Sequence, residues 1–351
     1  MGNSNYRVQN NQATAPVDPK MFLQTELPKF IVHDHISKGK FMKVYSGKID
    51  GTPVMVKVYI RSQEEDRNMT EIARKLTHVW NTLSPSRYPN LLPYQMWIKS
   101  SYRIPKTSNL SPTYLIRQYL ISNLHDRLST RPFLHNIEKR FLVFQIMKAL
   151  ETCHEEKICH GDIKPENIMV TSWNWIVLTD FSPFKPTKIP VDDPADFQYF
   201  FDTMDRRRCY IAPERFYTNN TSDSRNRAQY LADLEKIQPS FEDGDKDKLT
   251  QPMDVFSLGL TIAEVFLAGE PILDLPGMLK YVSGASSTSS QSLIPFEHLL
   301  QEDSPAAAIL NRIDDEDIKS LVVDMTQRNP EKRTSVNQVS IFSSHPPDPN
   351  P

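Results

Sequence analysis

Asp162 stands five residues before an amide, Asn167, and eighteen before a second carboxylate, Asp180, with a lysine, Lys164, in between. Those residue types in that order suit phosphoryl transfer. One carboxylate takes the proton of an acceptor hydroxyl, while an amide oxygen and a second carboxylate hold a divalent cation on the phosphates. Taken singly, each piece has a bland alternative: an Asp-Phe pair makes a turn, and His-Gly-Asp caps a loop. Their order and spacing together carry the reading.

The run His160-Gly161-Asp162-Ile163-Lys164-Pro165-Glu166-Asn167, followed by Thr179-Asp180-Phe181-Ser182, resembles the catalytic loop and metal-binding motif of protein kinases. The resemblance implies Asp162 and Lys164 as catalytic residues, with Lys164 in the form used by Ser/Thr kinases. It implies Asn167 and Asp180 as ligands of Mg²⁺, and ATP as phosphoryl donor. Lys57, in Val54-Met55-Val56-Lys57, is similar to the strand lysine that contacts the α- and β-phosphates and pairs with a helix glutamate, for which Glu71 is expected. Ile36, Gly39, Val44, Gln118 and Leu120 complete the expected nucleotide pocket. Downstream, Ala212-Pro213-Glu214 matches the A-P-E motif; Asp254 opens an apolar DVFSLG run, and Arg333 suits a structural partner for Glu214.

These residues need two kinds of scaffold. Ile31 to Ile60 has the β-branched and aromatic pattern of short strands, with a turn at Asp50-Gly51, so an antiparallel hairpin is expected. Met69 to Leu83 has helical spacing, and Tyr114 to Ile121 reads as a strand. Beyond it, Asn136 to His154 puts Ile137, Phe141 and Phe144, and then Val143, Met147 and Leu150, at three- and four-residue steps. Asp254 to Ala268 is apolar nearly all round, as in a buried helix. The expected fold is α+β and two-lobed. Residues 1–20 form a polar arm, 22–121 a small antiparallel β lobe and 122–342 a larger helical lobe. That second lobe carries polar insertions near 218–251 and 283–292, and residues 343–351 form a tail.

Composition narrows the partners. Lys and Arg total 41 against 43 Asp and Glu, a net charge of −2, without the basic excess of a nucleic-acid binder. Three cysteines without metal-ligand spacing suit a reducing compartment. No stretch approaches the length of a membrane span, and the first 25 residues lack a secretory pattern.

Glycine is scarce, with 10 in 351 residues and none between Gly51 and Gly161. The deficit falls on the phosphate machinery. Aligned to the kinase glycine loop, Ser37, Gly39 and Met42 occupy the three glycine positions, and Ser182 replaces the glycine of D-F-G. Side chains there hinder close backbone approach to phosphates. Gly161 stands where kinases often carry an arginine that senses a phosphorylated activation loop. Arg117, entering the hinge, needs a carboxylate partner if buried, and the expectation is that it competes with Lys57 for Glu71. Arg206, Arg207 and Arg208 have two readings: a phosphate site around Thr203, or surface pairs with Asp192, Asp193 and Asp196, the second being favoured.

A narrower resemblance follows from Ser172-Trp173-Asn174-Trp175, from Asp126 to Arg140, and from Pro194 to Phe216 (PADFQYFFDTMDRRRCYIAPERF). These resemble the protein-kinase-like regulatory subunit of the class III phosphatidylinositol 3-kinase complex. The family implies binding to the catalytic lipid kinase, a role in autophagy and endosomal sorting, and peripheral residence on endosomal or autophagosomal membranes through a myristate at Gly2. The N-myristoylation pattern asks for Ser or Thr at the sixth position, where this chain has Tyr6. Three readings stand at this stage: a Ser/Thr protein kinase of low activity, a nucleotide-binding scaffold that supports the lipid kinase without catalysis, and a structural domain without nucleotide.

Overall fold

In the computed structural model the described residues are 19–37, 39, 41–61, 63–100, 111–191, 194–201, 208–217, 248–283, 298–301, 304 and 306–338. Residues 1–18 of the expected arm, with Gly2, and the tail lie outside them, as do most of both polar insertions, while Pro19 and Lys20 of that arm are helical. Among the described residues no helix is long and apolar enough to cross a membrane.

Helix α1 (Pro19–Glu26) precedes strands β1 (Phe30–Ser37), β2 (Met42–Ile49) and β3 (Thr52–Arg61). Asp50 and Gly51 take φ of 48° and 81°, the left-handed pair that a two-residue hairpin turn requires, and pin the β2–β3 register. Helix α2 (Gln63–Thr82) begins before the point that its apolar spacing marks, and β4 (Leu91–Leu92), β5 (Met96–Lys99) and β6 (Ser111–Gln118) follow. The antiparallel sheet has the order β1-β2-β3-β6-β5.

Alternation along β3 decides what faces the cleft. Val54, Val56 and Val58 pack under α1 against Leu23 and Leu27, so Met55, Lys57 and Tyr59 point to the other face. Met55 is opposite Arg117 and Lys57 is opposite Leu115. Directly paired residues share a face, which brings Arg117 and Lys57 together.

The second lobe is built on α3 (Leu124–Ser129), α4 (Asn136–Glu155) and the hairpin β7 (Ile168–Val170)–β8 (Ile176–Thr179), with β4 pairing β8 in parallel. Strand β9 (Ile189–Pro190), helix α5 (Pro194–Phe200) and strand β10 (Phe216–Tyr217) lead to α6 (Gln251–Phe266). Every residue of α6 from Met253 to Val265 is buried. Helices α7 (Leu275–Ser283), α8 (Ala307–Leu310) and α9 (Glu316–Met325) complete the lobe. Gly259 lets α6 meet α9 closely: an added Cβ would lie 2.8 Å from Thr326 Cγ2 and 2.9 Å from Met325 Cβ.

Of the two apolar sets on α4, Val143, Met147 and Leu150 enter the core, whereas Ile137, Phe141 and Phe144 are exposed. The Trp173-Asn174-Trp175 turn sits beside that exposed set. Asn174, at φ 54°, donates from Nδ2 to Glu138 Oε1 (2.9 Å), and its carbonyl accepts from Gln145 Nε2 (2.8 Å).

Candidate active site

The catalytic loop leaves the end of α4 and reaches β7 through His160–Asn167, and α6 holds it from below. Asp254 accepts from the backbone N–H of His160 (2.7 Å) and of Gly161 (2.9 Å). Burial opposes ionisation of Asp254, but bonds from His154 and from these backbone groups keep its carboxyl below the usual value. His160 Nε2 donates to Thr179 O (2.7 Å) and its Nδ1 faces the Asp162 N–H (3.2 Å), so the ring is the neutral Nε2–H tautomer. Burial lowers its pKa in the same sense. The imidazole thereby ties the loop to the end of β8, where Asp180 begins.

Gly161 has φ 81°, and a Cβ there would stand 2.6 Å from Leu249 Cδ1, so backbone conformation and space both favour glycine. Its carbonyl accepts from Arg215 Nη1 (3.0 Å), and the same guanidinium reaches Pro186 O and Thr187 O (2.9 Å each) and covers the Phe201 ring. Glu214 and Arg333 form a fork at 2.7 Å on both arms, the two side chains only 2% and 1% exposed. Arg333 also donates to Pro252, Gln327 and Arg328 carbonyls, which fastens the turn 212–216 to the start of α6.

Asp162 is a buried carboxylate with several donors. Asn167 Nδ2 gives to its Oδ2 at 2.9 Å and to its carbonyl at 2.7 Å. Lys185 Nζ lies 2.7 Å and Lys164 Nζ 3.4 Å from the same Oδ2. Burial raises its pKa, but Lys164 and Lys185 outweigh that and hold the carboxyl well below the usual range. Lys185 itself is lowered to about 8, chiefly by burial.

Asp180 has a left-handed backbone (φ 66°), a conformation that costs a non-glycine residue about 1–3 kcal/mol. The neighbouring groups over-determine it. Ser182 Oγ donates to Asp180 O (2.8 Å), and Arg117 makes a fork on the carboxylate, Nε to Oδ1 at 2.9 Å and Nη2 to Oδ2 at 3.0 Å. Lys57 Nζ is 3.0 Å from Oδ2, and Thr179 Oγ1 donates to the same oxygen. Arg117 is 2% exposed. Burial opposes the Asp180 charge, but Arg117 and Lys57 keep its carboxyl far below the ordinary carboxylate value. Burial also lowers the Lys57 pKa, against the pull of Asp180.

The expectation for Glu71 is overturned. Met69, Ala73, Leu76 and Val79 form the buried stripe of α2, and Glu71 lies two residues from both Met69 and Ala73, about 200° around a helix of 3.6 residues per turn. It faces outward and pairs with Arg74 (2.9 Å) and Lys75 (3.7 Å). The inward neighbour of β3 is Met69, whose sulfur accepts from Tyr59 Oη (3.1 Å). Arg117 and Lys57 therefore share Asp180 rather than compete for Glu71.

The remaining expected residues fall into place unevenly. Ile36, Gly39, Val44, Lys57, Leu120, Asp162, Lys164, Asn167 and Asp180 line one cleft of about 250 Å³. Gln118 is exposed, its N–H given to Gln95 Oε1 (2.7 Å) and its carbonyl occupied by Arg117 Nη1 (3.0 Å), which removes it from that lining. Arg208 lies 2.5 Å from Glu264, a carboxylate buried within α6 that also accepts from Tyr210. Arg206, Arg207, Thr203, Asp192 and Asp193 lie outside the described residues. Sequence reasoning missed Lys185, Arg215 and Glu264. Lys185 and Lys188 in the Pro-rich stretch after Asp180 and a glutamate within an apolar helix were the available signals.

A family model described as protein kinase domain matches residues 30–234. The chain belongs to the protein kinase family. Its two-lobed α+β fold, with an antiparallel sheet above a helical lobe, is that of the kinase domain. A serine/threonine-protein kinase VPS15 from Arabidopsis thaliana is 37% identical over 325 residues, 92% of this chain and 19% of the relative. The probable serine/threonine-protein kinase vps15 of Dictyostelium discoideum is 38% identical over 92% of this chain and 14% of its own length. The serine/threonine-protein kinase VPS15 of Saccharomyces cerevisiae is 34% identical over 87% of this chain and 18% of its own. The chain thus spans under a fifth of the length of these curated relatives.

Proposed function

We propose that this kinase domain transfers phosphate from a nucleoside triphosphate, in the first instance ATP, to protein serine and threonine hydroxyls at a low rate. The reading rests on one observation: Lys57 from β3, Asp162, Lys164 and Asn167 from the catalytic loop, and Asp180 after β8 meet in a single cleft. Asp162 is the proton acceptor for the incoming hydroxyl, oriented by Asn167, and Lys164 stands 3.4 Å from it, within reach of the transferred phosphoryl group. Lys57 projects from β3 to face the donor phosphates. Two contacts account for low turnover. Lys185 sits on Asp162 and lowers its basicity, and Arg117 sits on Asp180.

Kinase domains generally use Mg²⁺ with ATP. Asn167 retains an amide oxygen for such an ion, but the Asp180 oxygens are engaged by Arg117, Lys57 and Thr179. A divalent cation does not fit that carboxylate in the geometry present. These same contacts favour a second reading, a nucleotide-binding scaffold with negligible transfer.

The resemblance in residues 126–140, 172–175 and 194–216, together with the VPS15 relatives, supports a place beside the catalytic subunit of class III phosphatidylinositol 3-kinase, in autophagy and endosomal sorting. Residence on endosomal or autophagosomal membranes through myristate at Gly2 belongs to the same proposal. A single such chain binds a membrane only marginally, so a protein partner would be needed for stable attachment.

The test is transfer from γ-labelled ATP to a general protein substrate, with phosphoamino-acid analysis. Label on serine or threonine, reduced by about 100-fold or more in Asp162→Asn, supports kinase activity. Equal label in that variant contradicts it, and nucleotide binding with no label at all selects the scaffold.

A further inference from the structure

The cluster around Asp162 and Asp180 is unusual in its charge. Lys57 and Arg117 lie on Asp180, and Lys164 and Lys185 lie on Asp162. Within this cluster four cations stand against two carboxylates, so each carboxylate is faced by a pair of cations. The glutamate that would offset Lys57 is on the outer face of α2, paired with Arg74 and Lys75. Two further acids line the cleft: Asp126, exposed on α3, and Glu166, which lies near Tyr210 and near an Arg208 already paired with Glu264.

A polyphosphate ordinarily needs divalent cations beside a pair of kinase carboxylates, because phosphates and carboxylates repel one another. That repulsion is already neutralised by side chains. Arg117 delivers a delocalised, permanently charged fork to Asp180, and it is held by a further bond to Gln118 O and by burial. Displacing it would leave a guanidinium buried without a carboxylate.

We propose that this cleft binds the polyphosphate of a nucleotide without a divalent cation, the Arg117 guanidinium standing in for the metal at Asp180. The inference rests on the reading that the cleft takes a nucleotide, and concerns only what balances the phosphate charge. It makes Arg117 the residue that sets metal dependence. Lys57, Lys164 and Lys185, which line the cleft, attract the phosphates, and Asp180 serves as the anchor of Arg117 rather than as a metal ligand.

The experiment is calorimetric titration of ATP, with ADP as a second probe, into the purified chain in EDTA and in Mg²⁺. Wild type, Arg117→Met and Arg117→Lys are compared, with thermal melts without nucleotide to show that each variant is folded. Wild type is expected to bind in EDTA with an affinity within about threefold of that in Mg²⁺. Arg117→Met is expected to lose about 10- to 100-fold in EDTA, the worth of a charge-assisted contact, and to regain part of it on adding Mg²⁺. Arg117→Lys, which keeps the charge, stays metal-independent and shows the effect to be electrostatic if the Met variant is poorly folded. Wild-type binding that appears only with Mg²⁺ overturns the inference and leaves the nucleotide site standing. No binding in either condition overturns the nucleotide site as well.

Discussion

Replacing Glu214 by alanine should be among the most damaging single changes in the second lobe. Glu214 and the Arg333 side chain are almost fully buried, and both carboxylate oxygens lie 2.7 Å from Arg333 nitrogens. Alanine leaves that guanidinium inside the protein with only the carbonyls of Pro252, Gln327 and Arg328. Breaking a buried pair from one side costs about 3–5 kcal/mol. At about 2–4 °C per kcal/mol for a large domain, the melting midpoint should fall by roughly 10 °C. Differential scanning calorimetry on wild type, Glu214→Ala, Arg333→Met and the double variant measures both the loss and the coupling. The double variant should be less damaged than the sum of the singles, because it removes both charges together. A loss below about 1 kcal/mol, the ceiling for an exposed pair, or strict additivity, would show that the pair does not hold the turn 212–216 to α6.

Two other outcomes follow from the cleft. Glu71→Gln should leave ATP affinity unchanged within about twofold, since Glu71 pairs with Arg74 and Lys75 along the exposed face of its own helix; a tenfold loss by calorimetry would place it back in the site. Lys185 has a pKa of about 8 in the folded protein, against an ordinary 10.5. Its cation attracts phosphate, so ATP affinity should be flat below pH 8 and then fall by up to about tenfold per pH unit until the pKa of the complex is reached. Lys185→Met should flatten that profile, and an unchanged profile would remove Lys185 from the phosphate field. The stability contribution of Lys185 has the opposite sign. Between about 8 and 10.5 the unfolded chain binds more protons than the folded one, so that contribution grows as pH rises.

The legible and illegible parts of this site differ in what fixes them. The hairpin and the face of Lys57 follow from a two-residue turn and from alternation, both local. The catalytic loop is a contiguous string, so its residues could be assigned from spacing. Arg117 was recognisable as a buried cation in need of a carboxylate, but its partner depends on how β6 lies against the end of β8 and on the rotation of α2. The apolar stripe through Met69, Ala73 and Leu76 sets that rotation, and it turns Glu71 outward. The two apolar sets of α4 show the same limit. Both have helical spacing, and only packing against α6 and β8 decides that Val143, Met147 and Leu150 are core while Ile137 and Phe141 are surface. Lys185, Arg215 and Glu264 had no motif to announce them, because their partners lie 23, 54 and 56 residues away along the chain.

The most direct measurement follows a metal ion at Asp180 itself. Mn²⁺ titrated into the ATP-loaded chain and monitored by electron paramagnetic resonance reports the affinity of the bound complex for a divalent cation. With Arg117 on Asp180, wild type should hold Mn²⁺ no more tightly than free ATP does, and Arg117→Met should bind it about tenfold or more tightly than wild type. Tight Mn²⁺ binding by wild type, unchanged in Arg117→Met, would contradict the account.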